Sequence, residues 1–399
     1  MDILKEISPT KQEKKELKKK VNSFLKSFKK SKGVKFVVGG SYAKNTWLSG
    51  NPDIDVFARF DYKTYKDKDI SKELGDLLSK KYKFTKVHGS RDYYHIDIDK
   101  TIFEVVPVLE IKKPEEAKNV TDVSAFHVKY IKKHTNKKLQ NEIRILKHFC
   151  KANDLYGAES YIRGFSGYVL EILISHYKSF NKLIKSVKLW EEKTVLDPAK
   201  YYKSKREIGL ELNPSKVSPL ILIDPVQPDR NAAAALGKKV YNKLINLAKI
   251  YDGSDAFFRK KEVDLKDLKG YNILSITPLT GKKDIVGAKL LKSLEYIKKQ
   301  LELNDFKVID YGWKWETKAY FWFKIESPKS KTKKHYGPTK DKKTHIEAFK
   351  KKHKKQKIHK GIKGIYIIQE RRFTKSEDIL NYLIKQKNVS EKLKNIKLR

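Results

Sequence analysis

Cysteine is almost absent from this sequence, since Cys150 is the only one among 399 residues. A single thiol cannot form a disulfide within one chain, which is typical of a reducing, intracellular compartment. The N-terminus has no apolar signal region, and no run of about 18 apolar residues occurs. We therefore expect a cytoplasmic protein without a membrane partner.

Acidic residues are scarce relative to basic ones: 48 Asp and Glu stand against 90 Lys and Arg, for a net charge of +42. This charge favours polyanionic partners, either nucleic acid or an anionic membrane surface. The excess is mostly lysine, however, and a general drift of composition toward lysine would give the same total. A hydrophobic content of 39% is typical of a folded protein, and the length predicts about two to four domains.

The first 125 residues have the pattern of a small α/β domain. A charged helical region precedes two strands that flank a glycine-rich turn, and a helix and two further strands follow. The predicted elements are a helical region at 1–32, strands at 35–38 and 53–58, a short helix at 42–47, a helix at 70–82, and strands at about 93–99 and 102–108.

The middle of the chain is predicted to be mostly helical. Apolar residues recur at helical spacing within 137–190, and Arg163-Gly164-Phe165-Ser166-Gly167 interrupts the pattern. A buried strand is predicted at 219–225. Asn231 then has the character of a helix cap, so we expect a helix to begin at the alanine run 232–235.

The C-terminal third begins with a small α+β pattern. Residues 270–326 give strand, helix, strand and strand in that order. Residues 327–361 are low-complexity and basic. A strand at 362–369 and a final polar helix complete the prediction.

Two aspartates, Asp53 and Asp55, open the second predicted strand. Side chains two positions apart on a strand point to the same face, so the two carboxylates should lie side by side. Like charges this close are unfavourable unless a cation lies between them, and oxygen ligands suit Mg²⁺. A third carboxylate on a neighbouring strand would complete a two-metal site for phosphate chemistry.

A glycine-rich turn, Gly39-Gly40-Ser41, precedes this strand. Glycines let a phosphate approach the backbone, and a helix N-terminus offers free N–H groups. Ser41 adds a hydroxyl, and Lys44 adds a cation one turn further on. Either motif alone is weak, because both occur in ordinary turns and on solvated strands. Their combination, with Ser41 twelve residues before Asp53, predicts nucleotidyl transfer.

These motifs resemble the signature of the archaeal (class I) CCA-adding enzymes, which are tRNA nucleotidyltransferases with a polymerase-β-like palm. The matching segment runs from Gly39 to Leu48 and continues at Asp53-Ile54-Asp55-Val56. The resemblance covers about residues 1–330 and includes further blocks in the family's order: Phe126-His127, Asn141–Lys147, Tyr156–Glu159, Arg163–Tyr168 and Asp229-Arg230-Asn231.

The resemblance implies an α+β multidomain enzyme. Its parts are a polymerase-β-like palm at 1–125, a helical, nucleotide-binding neck at 126–255, a small α/β body at 256–326 and a basic α+β tail at 327–399. The implied reaction is attack of the tRNA 3′-hydroxyl on the α-phosphate of CTP or ATP, with release of pyrophosphate and no nucleic-acid template. Two Mg²⁺ ions per active site are implied as cofactors.

The family pattern implies three catalytic carboxylates that bind the metal ions. Asp53 and Asp55 match directly, whereas the third ligand is usually an aspartate just before Val-Val-Pro and is Glu104 here. We expect Glu104 to serve, because the Val-Val-Pro block fixes the register. Asp97 and Asp99 on the preceding strand form an alternative pair.

The nucleotide-binding residues implied by the family are Gly40, Ser41, Lys44, His127, Lys147, Tyr156 and Arg230. Lys44 replaces a more usual arginine, which loses a bidentate phosphate contact but keeps the charge. Lys147 and Tyr156 would face the triphosphate and the sugar, and Arg230 would help to read the edge of the incoming base. From pattern alone, His127, Lys147 and Tyr156 would each be ordinary structural or solvated residues.

Five lysines of the basic segment are candidates for RNA contact: Lys350, Lys351, Lys352, Lys354 and Lys355. Such contacts grip the phosphate backbone and carry little sequence information. The resemblance implies that the C-terminal domains hold the acceptor and TΨC arms of tRNA, and it suggests a homodimer. A solvated basic loop in a lysine-rich protein is the alternative interpretation.

The sequence is also consistent with two other functions. A poly(A)- or oligoadenylate-type nucleotidyltransferase would share the palm without the blocks around Tyr156 and Arg230. A non-catalytic RNA-binding protein would have lost its carboxylates, whereas Asp53, Asp55 and Glu104 are all acidic.

Overall fold

The computed structural model describes residues 3–29, 31–50 and 52–399. Positions 1, 2 and 30 of the predicted helical region, and position 51, lie outside the described residues. The chain forms two compact units, Met1–Glu262 and Val263–Arg399. Within the described residues, every helix is too short or too polar to cross a membrane.

The first unit contains a five-stranded sheet, a helical region and a two-stranded sheet. Its helices are α1 (Ile3–Ile7), α2 (Lys11–Ser27), α3 (Gly40–Ala43), α4 (Tyr62–Tyr65), α5 (Ile70–Ser79), α6 (Ser124–His134), α7 (Lys137–Ala152), α8 (Gly167–Tyr177), α9 (Phe180–Val187), α10 (Lys205–Glu211) and α11 (Lys238–Ile250). Its strands are β1 (Val34–Val38), β2 (Ile54–Asp61), β3 (Thr85–Val87), β4 (Tyr93–Ile98), β5 (Thr101–Glu110), β6 (Thr194–Leu196) and β7 (Leu220–Leu222).

The five-stranded sheet has the order β1-β2-β5-β4-β3. β2 and β5 run parallel at its centre, and this register places Asp55 opposite Glu104. Helices α2 and α5 pack on the sheet through buried apolar residues such as Phe24 and Leu74, which share a core with Ile54. The predicted strands of this sheet are confirmed. The short helix predicted at 42–47 is instead α3, which begins at Gly40 and is two residues shorter.

The helical region of the first unit packs around a second core. Ile143 and Phe149 of α7 and Leu173 of α8 are fully or almost fully buried in it. The predicted helix at 232 is wrong. Asn231 Oδ1 instead accepts hydrogen bonds from the backbone N–H groups of Leu222 (3.0 Å) and Ala233 (2.9 Å), which fixes a loop beside β7. The helix α11 begins only at Lys238.

The second unit contains a four-stranded sheet of order β14-β8-β10-β9 and a three-stranded sheet of order β11-β13-β12. Its strands are β8 (Asn272–Thr277), β9 (Lys307–Trp315), β10 (Ala319–Glu326), β11 (Thr332–Thr339), β12 (Ile358–Lys360), β13 (Gly364–Glu370) and β14 (Asn395–Leu398). Its helices are α12 (Lys283–Leu303), α13 (Lys343–Lys352), α14 (Ser376–Leu383) and α15 (Lys387–Ser390).

The predicted strand–helix–strand–strand order of 270–326 is confirmed as β8, α12, β9 and β10. The basic segment 327–361 is more ordered than its composition suggests, since it forms β11, α13 and β12. The predicted final polar helix is partly wrong, because β14 pairs with β8 and Leu398 packs against the core of that sheet. The division of the chain into four parts stays a prediction.

Candidate active site

Three carboxylates line one cavity of about 570 Å³ in the first unit. Asp53 immediately precedes β2, Asp55 is its second residue, and Glu104 lies opposite Asp55 on the parallel strand β5. The alternative pair, Asp97 and Asp99, is exposed where β4 turns into β5, and neither residue is part of the described cavity wall. The fold therefore brings together the three acidic residues expected at the metal site.

Burial and mutual repulsion strain these carboxylates. Burial raises the pKa of Asp55 to about 6, and the charges of Glu104 and Asp53 act in the same direction against the opposing charge of Lys44. Burial and Glu104 also raise the pKa of Asp53. A divalent cation would relieve this strain, and three carboxylates supply the oxygen donors that Mg²⁺ prefers.

Glu104 is also engaged with a neighbour on β4. Its Oε2 lies 3.1 Å from His95 Nε2. Within residues 3–29, 31–50 and 52–399, no three His, Cys, Asp or Glu side chains already stand in a metal-binding arrangement. The donor set fits a divalent cation, and Glu104 would bind it while keeping or exchanging its contact with His95.

The glycine turn holds the backbone against Asp55. Gly40 has a φ of +52°, and a Cβ at this position would overlap the Asp55 carboxylate. The N–H of Gly39 donates a hydrogen bond of 2.7 Å to the carbonyl of Asp55. Both the left-handed backbone and the close approach therefore require glycine at position 40. Ser41 lies in the same cavity wall.

Lys44 and Lys147, both expected at the phosphates, meet at a residue that the sequence analysis missed. Glu171 of α8 accepts hydrogen bonds from Lys44 Nζ at 2.6 Å and from Lys147 Nζ at 2.8 Å. Thr46 Oγ1 donates a third, at 2.7 Å. The lone acid in the apolar run from Leu170 to Ile174 is the signal that could have identified Glu171.

Tyr156 completes this side of the cavity. Burial raises its pKa to about 12, and the negative charges of Glu171 and Asp55 add to the effect. Gly167 begins α8 beside it, and a Cβ there would lie 3.0 Å from Tyr156 Oη. Lys151, which sequence reasoning also missed, lines the cavity and lies 5.1 Å from the centre of the Tyr156 ring.

His127 and Arg230 belong to a polar cluster around the buried Asp224. The Arg230 guanidinium donates to Asp224, His127 Nε2 lies 3.3 Å from it, and Tyr168 Oη donates at 2.9 Å. Burial alone would raise the pKa of Asp224, but His127 and Arg230 hold it below its ordinary value. Tyr168 stacks on His127 at 4.2 Å and also lines the cavity, so it connects the cluster to the carboxylates.

The five lysines of the basic segment belong to the second unit. Lys350, Lys351 and Lys352 form the last turn of α13, and Lys354 and Lys355 follow it. All five are exposed. Position and exposure suit a phosphate-backbone contact, which stays a prediction.

An aromatic strip lies on one face of the three-stranded sheet. Tyr336 is 71% exposed and pairs with Tyr366, whose ring stacks on His359 at 5.1 Å. Lys334 Nζ lies 4.9 Å from the centre of the Tyr366 ring. Exposed aromatic rings beside cations are suited to stacking with nucleic-acid bases.

Three family models match successive parts of the chain. A Second Messenger Oligonucleotide or Dinucleotide Synthetase domain matches residues 1–139. The second domain of tRNA nucleotidyltransferase matches 141–259, and the C-terminal domain of CCA-adding enzyme matches 277–396.

Curated relatives agree with these matches over most of the chain. The CCA-adding enzyme of Nanoarchaeum equitans (strain Kin4-M) is 39% identical over 306 residues, which cover 75% of this chain and 76% of that protein. The CCA-adding enzyme of Saccharolobus islandicus (strain Y.G.57.14 / Yellowstone #1) is 32% identical over 325 residues, covering 77% and 73%. The chain belongs to the archaeal CCA-adding enzyme family.

Solved structures support the fold of this family member. A mutant of the Cid1 poly(U) polymerase bound to MgATP superposes with a TM-score of 0.52 at 12% identity, and the match covers 65% of this chain and 97% of that one. At that identity the likeness concerns the fold alone. It confirms the predicted α+β fold with a polymerase-β-like palm, and family membership confirms a nucleotidyltransferase that uses nucleotides and a divalent metal.

Proposed function

We propose that this protein adds C, C and A stepwise to the 3′ end of tRNA from CTP and ATP, without a nucleic-acid template. The observation that carries the proposal is the single cavity that joins Asp53, Asp55 and Glu104 to the nucleotide-binding candidates Ser41 and Lys147. The sequence relatives favour this reaction over a poly(A)- or oligoadenylate-type enzyme. A CCA-adding enzyme matches 75% of this chain.

Asp53, Asp55 and Glu104 would hold two Mg²⁺ ions, which supply activation of the attacking hydroxyl and stabilisation of the charge on the leaving pyrophosphate. The protein's own contribution is to position the substrates. Gly40 lets the incoming phosphates approach the backbone beside Asp55, and Ser41 offers a hydroxyl donor.

Residues of the palm and the neck would bind the nucleotide. Lys44 and Lys147 present two cations to the triphosphate, and Tyr156 covers the sugar. Arg230, held by Asp224 and with a third of its side chain exposed, would read the edge of the base. A guanidinium fixed in direction can discriminate bases by hydrogen bonding.

The second unit would bind the acceptor and TΨC arms of tRNA. Its exposed lysines at 350–352, 354 and 355 suit the phosphate backbone, and the strip of Tyr336, Tyr366 and His359 suits exposed bases. We also expect a homodimer and a cytoplasmic location from the family resemblance and the composition. Light scattering on the purified protein would measure its oligomeric state.

The catalytic assignment is tested by Asp53→Ala and Asp55→Ala. Both variants should lose nucleotide incorporation by several orders of magnitude, while tRNA binding in a filter assay stays within about twofold of wild type, since the carboxylates act on the reacting phosphate. Asp97→Ala serves as the matched control and should stay active. Turnover by the Asp55 variant at the wild-type rate would overturn the assignment.

A further inference from the structure

One buried carboxylate near the active site has no part in the chemistry described above. Glu171 is 0% exposed on helix α8. Its neighbours Leu170, Ile172 and Leu173 are all buried apolar residues. An ionised carboxylate in such surroundings is strongly unfavourable unless cations and hydrogen-bond donors compensate it.

The compensation comes from two separate parts of the first unit. Lys44 follows α3 beside the glycine turn, and Lys147 lies on α7. Both ammonium groups are almost completely buried. Lys44 Nζ lies 2.6 Å from Glu171 Oε2, and Lys147 Nζ lies 2.8 Å from Oε1 of the same carboxylate. Thr46 bridges the group, because its hydroxyl donates to Glu171 and accepts from Lys147 at 3.0 Å.

A second buried side chain holds this arrangement in place. Arg144, also on α7, donates hydrogen bonds to the carbonyl oxygens of Trp47 at 3.0 Å and Asn45 at 2.6 Å. The segment that carries Lys44 and Thr46 is therefore fixed against α7 independently of Glu171. Loss of the carboxylate should leave the two lysines close together.

Two buried cations and one buried anion leave the cluster of Lys44, Lys147 and Glu171 with one positive charge. The lysines overcome the effect of burial on Glu171, since its pKa is about 2 rather than raised. Without the carboxylate, the two ammonium groups would repel each other in a space with little water. An anion that enters the cavity could then compensate them instead.

We propose that Glu171 is a positioning residue of the phosphate site, an internal anion that keeps Lys44 and Lys147 paired while no nucleotide is bound. This inference rests on the proposed nucleotide site. Phosphate oxygens that enter the cavity share the two lysines with Glu171, so the carboxylate sets both the place and the strength of phosphate binding.

The test measures thermal unfolding of the full chain with and without inorganic tripolyphosphate, in EDTA so that metal ions do not contribute. The unliganded Glu171→Gln variant should unfold at a lower temperature than wild type. Tripolyphosphate should then raise its unfolding temperature by more than it raises that of wild type, roughly twofold more, because the ligand replaces the missing charge.

Asp122→Asn is the matched control. Asp122 is equally buried in the same unit and pairs with Arg91, but neither residue lines the active-site cavity. This variant should also lose stability, yet gain no more from tripolyphosphate than wild type does. An equal or smaller gain for Glu171→Gln than for Asp122→Asn would overturn the inference.

Glu171→Gln combined with Lys147→Met covers the case in which the single variant does not fold. It removes one charge of each sign and leaves Lys44 as one uncompensated cation, so it should fold. Tripolyphosphate should stabilise it more than it stabilises Lys147→Met, in which Glu171 still compensates Lys44. A gain no larger than that of Lys147→Met would overturn the inference. Failure of tripolyphosphate to stabilise wild type would instead contradict the proposed nucleotide site itself.

Discussion

Glu104 Oε2 lies 3.1 Å from His95 Nε2, on the strand directly beside it in the sheet. The hydrogen bond to Glu104 raises the pKa of His95 against the opposing effect of burial. Glutamate has one more methylene than the aspartate usual in the family and therefore more rotational freedom. The contact with His95 restricts that freedom and explains how a longer side chain can serve at this position.

The first prediction concerns this pair. Glu104→Gln should abolish incorporation, because it removes a metal-binding charge, whereas Glu104→Asp should be tolerated. His95→Ala should lower kcat/KM for CMP addition in the wild-type background and cost much less in the Glu104→Asp background, since the shorter side chain no longer reaches His95. A double-mutant cycle should give a coupling of about 1–2 kcal/mol. Additive effects of the two substitutions would contradict the positioning role.

The second prediction concerns pH. The pKa of Asp55 is raised to about 6 in the folded protein. Between the ordinary pKa of an aspartate and pH 6, the folded protein therefore binds more protons than the unfolded chain does. Stability of the metal-free protein should therefore fall as pH rises through this window. Mg²⁺ should restore it, and its stabilising effect should be larger at about pH 7.5 than at about pH 5.

The variant Asp55→Asn gives the corresponding control. It removes the buried charge and should stabilise the metal-free protein at neutral pH by about 1–3 kcal/mol, as judged by the size of the shift. It should also lose most of the stabilisation by Mg²⁺. Calorimetry at the two pH values measures both effects, and a destabilised Asp55→Asn protein would show that the carboxylate is not strained.

The third prediction concerns the choice of nucleotide. Asp224→Asn keeps the shape of the side chain but removes the charge that directs Arg230 and His127. Discrimination of CTP against UTP, as the ratio of kcat/KM values, should fall about tenfold or more, which corresponds to about 1.4 kcal/mol. Tyr168→Phe removes only one hydroxyl donor and should have a smaller effect. An unchanged ratio of kcat/KM values for CTP and UTP in Asp224→Asn would contradict the role of Arg230 in reading the base.

Several features of the site follow from local sequence pattern. The glycine turn and the strand with two aspartates are local, whereas Glu104 was expected from the family resemblance, and the structure places all three at one cavity. Glu171 and Asp224 could not be assigned in this way, because most of their partners are distant in sequence. Glu171 binds Lys44, which lies 127 positions away, and nothing in the local pattern fixes such a pairing.

The same limit applies to the fold of the second unit. The order of β8, α12, β9 and β10 follows from hydrophobic periodicity. The return of β14 to pair with β8 does not, since it depends on a contact between distant segments. The lysine-rich composition of 327–361 also conceals β11 and α13, where His335 stacks on Phe349 between helix and sheet.

The fourth prediction concerns the basic helix α13. Replacement of Lys350, Lys351, Lys352, Lys354 and Lys355 by glutamine should weaken tRNA binding. The slope of log affinity against log salt concentration should become shallower by roughly 0.7–0.9 for each RNA phosphate that is no longer neutralised. Thermal stability should hardly change, because all five side chains are exposed.

The control for this experiment is a set of five exposed lysines on another helix. Helix α2 carries them at Lys11, Lys14, Lys15, Lys18 and Lys19. Their replacement changes the net charge equally. Equal losses of tRNA affinity in both variants would assign the effect to net charge rather than to the basic helix.

The most direct test of the account is the product that the purified protein makes on a tRNA lacking its three terminal nucleotides, read at single-nucleotide resolution. With Mg²⁺ and CTP alone, we predict two additions and then a stop. With CTP and ATP together, we predict three additions ending in A and no further growth. A homopolymer tail, or growth beyond the third nucleotide at a comparable rate, would contradict the proposed function.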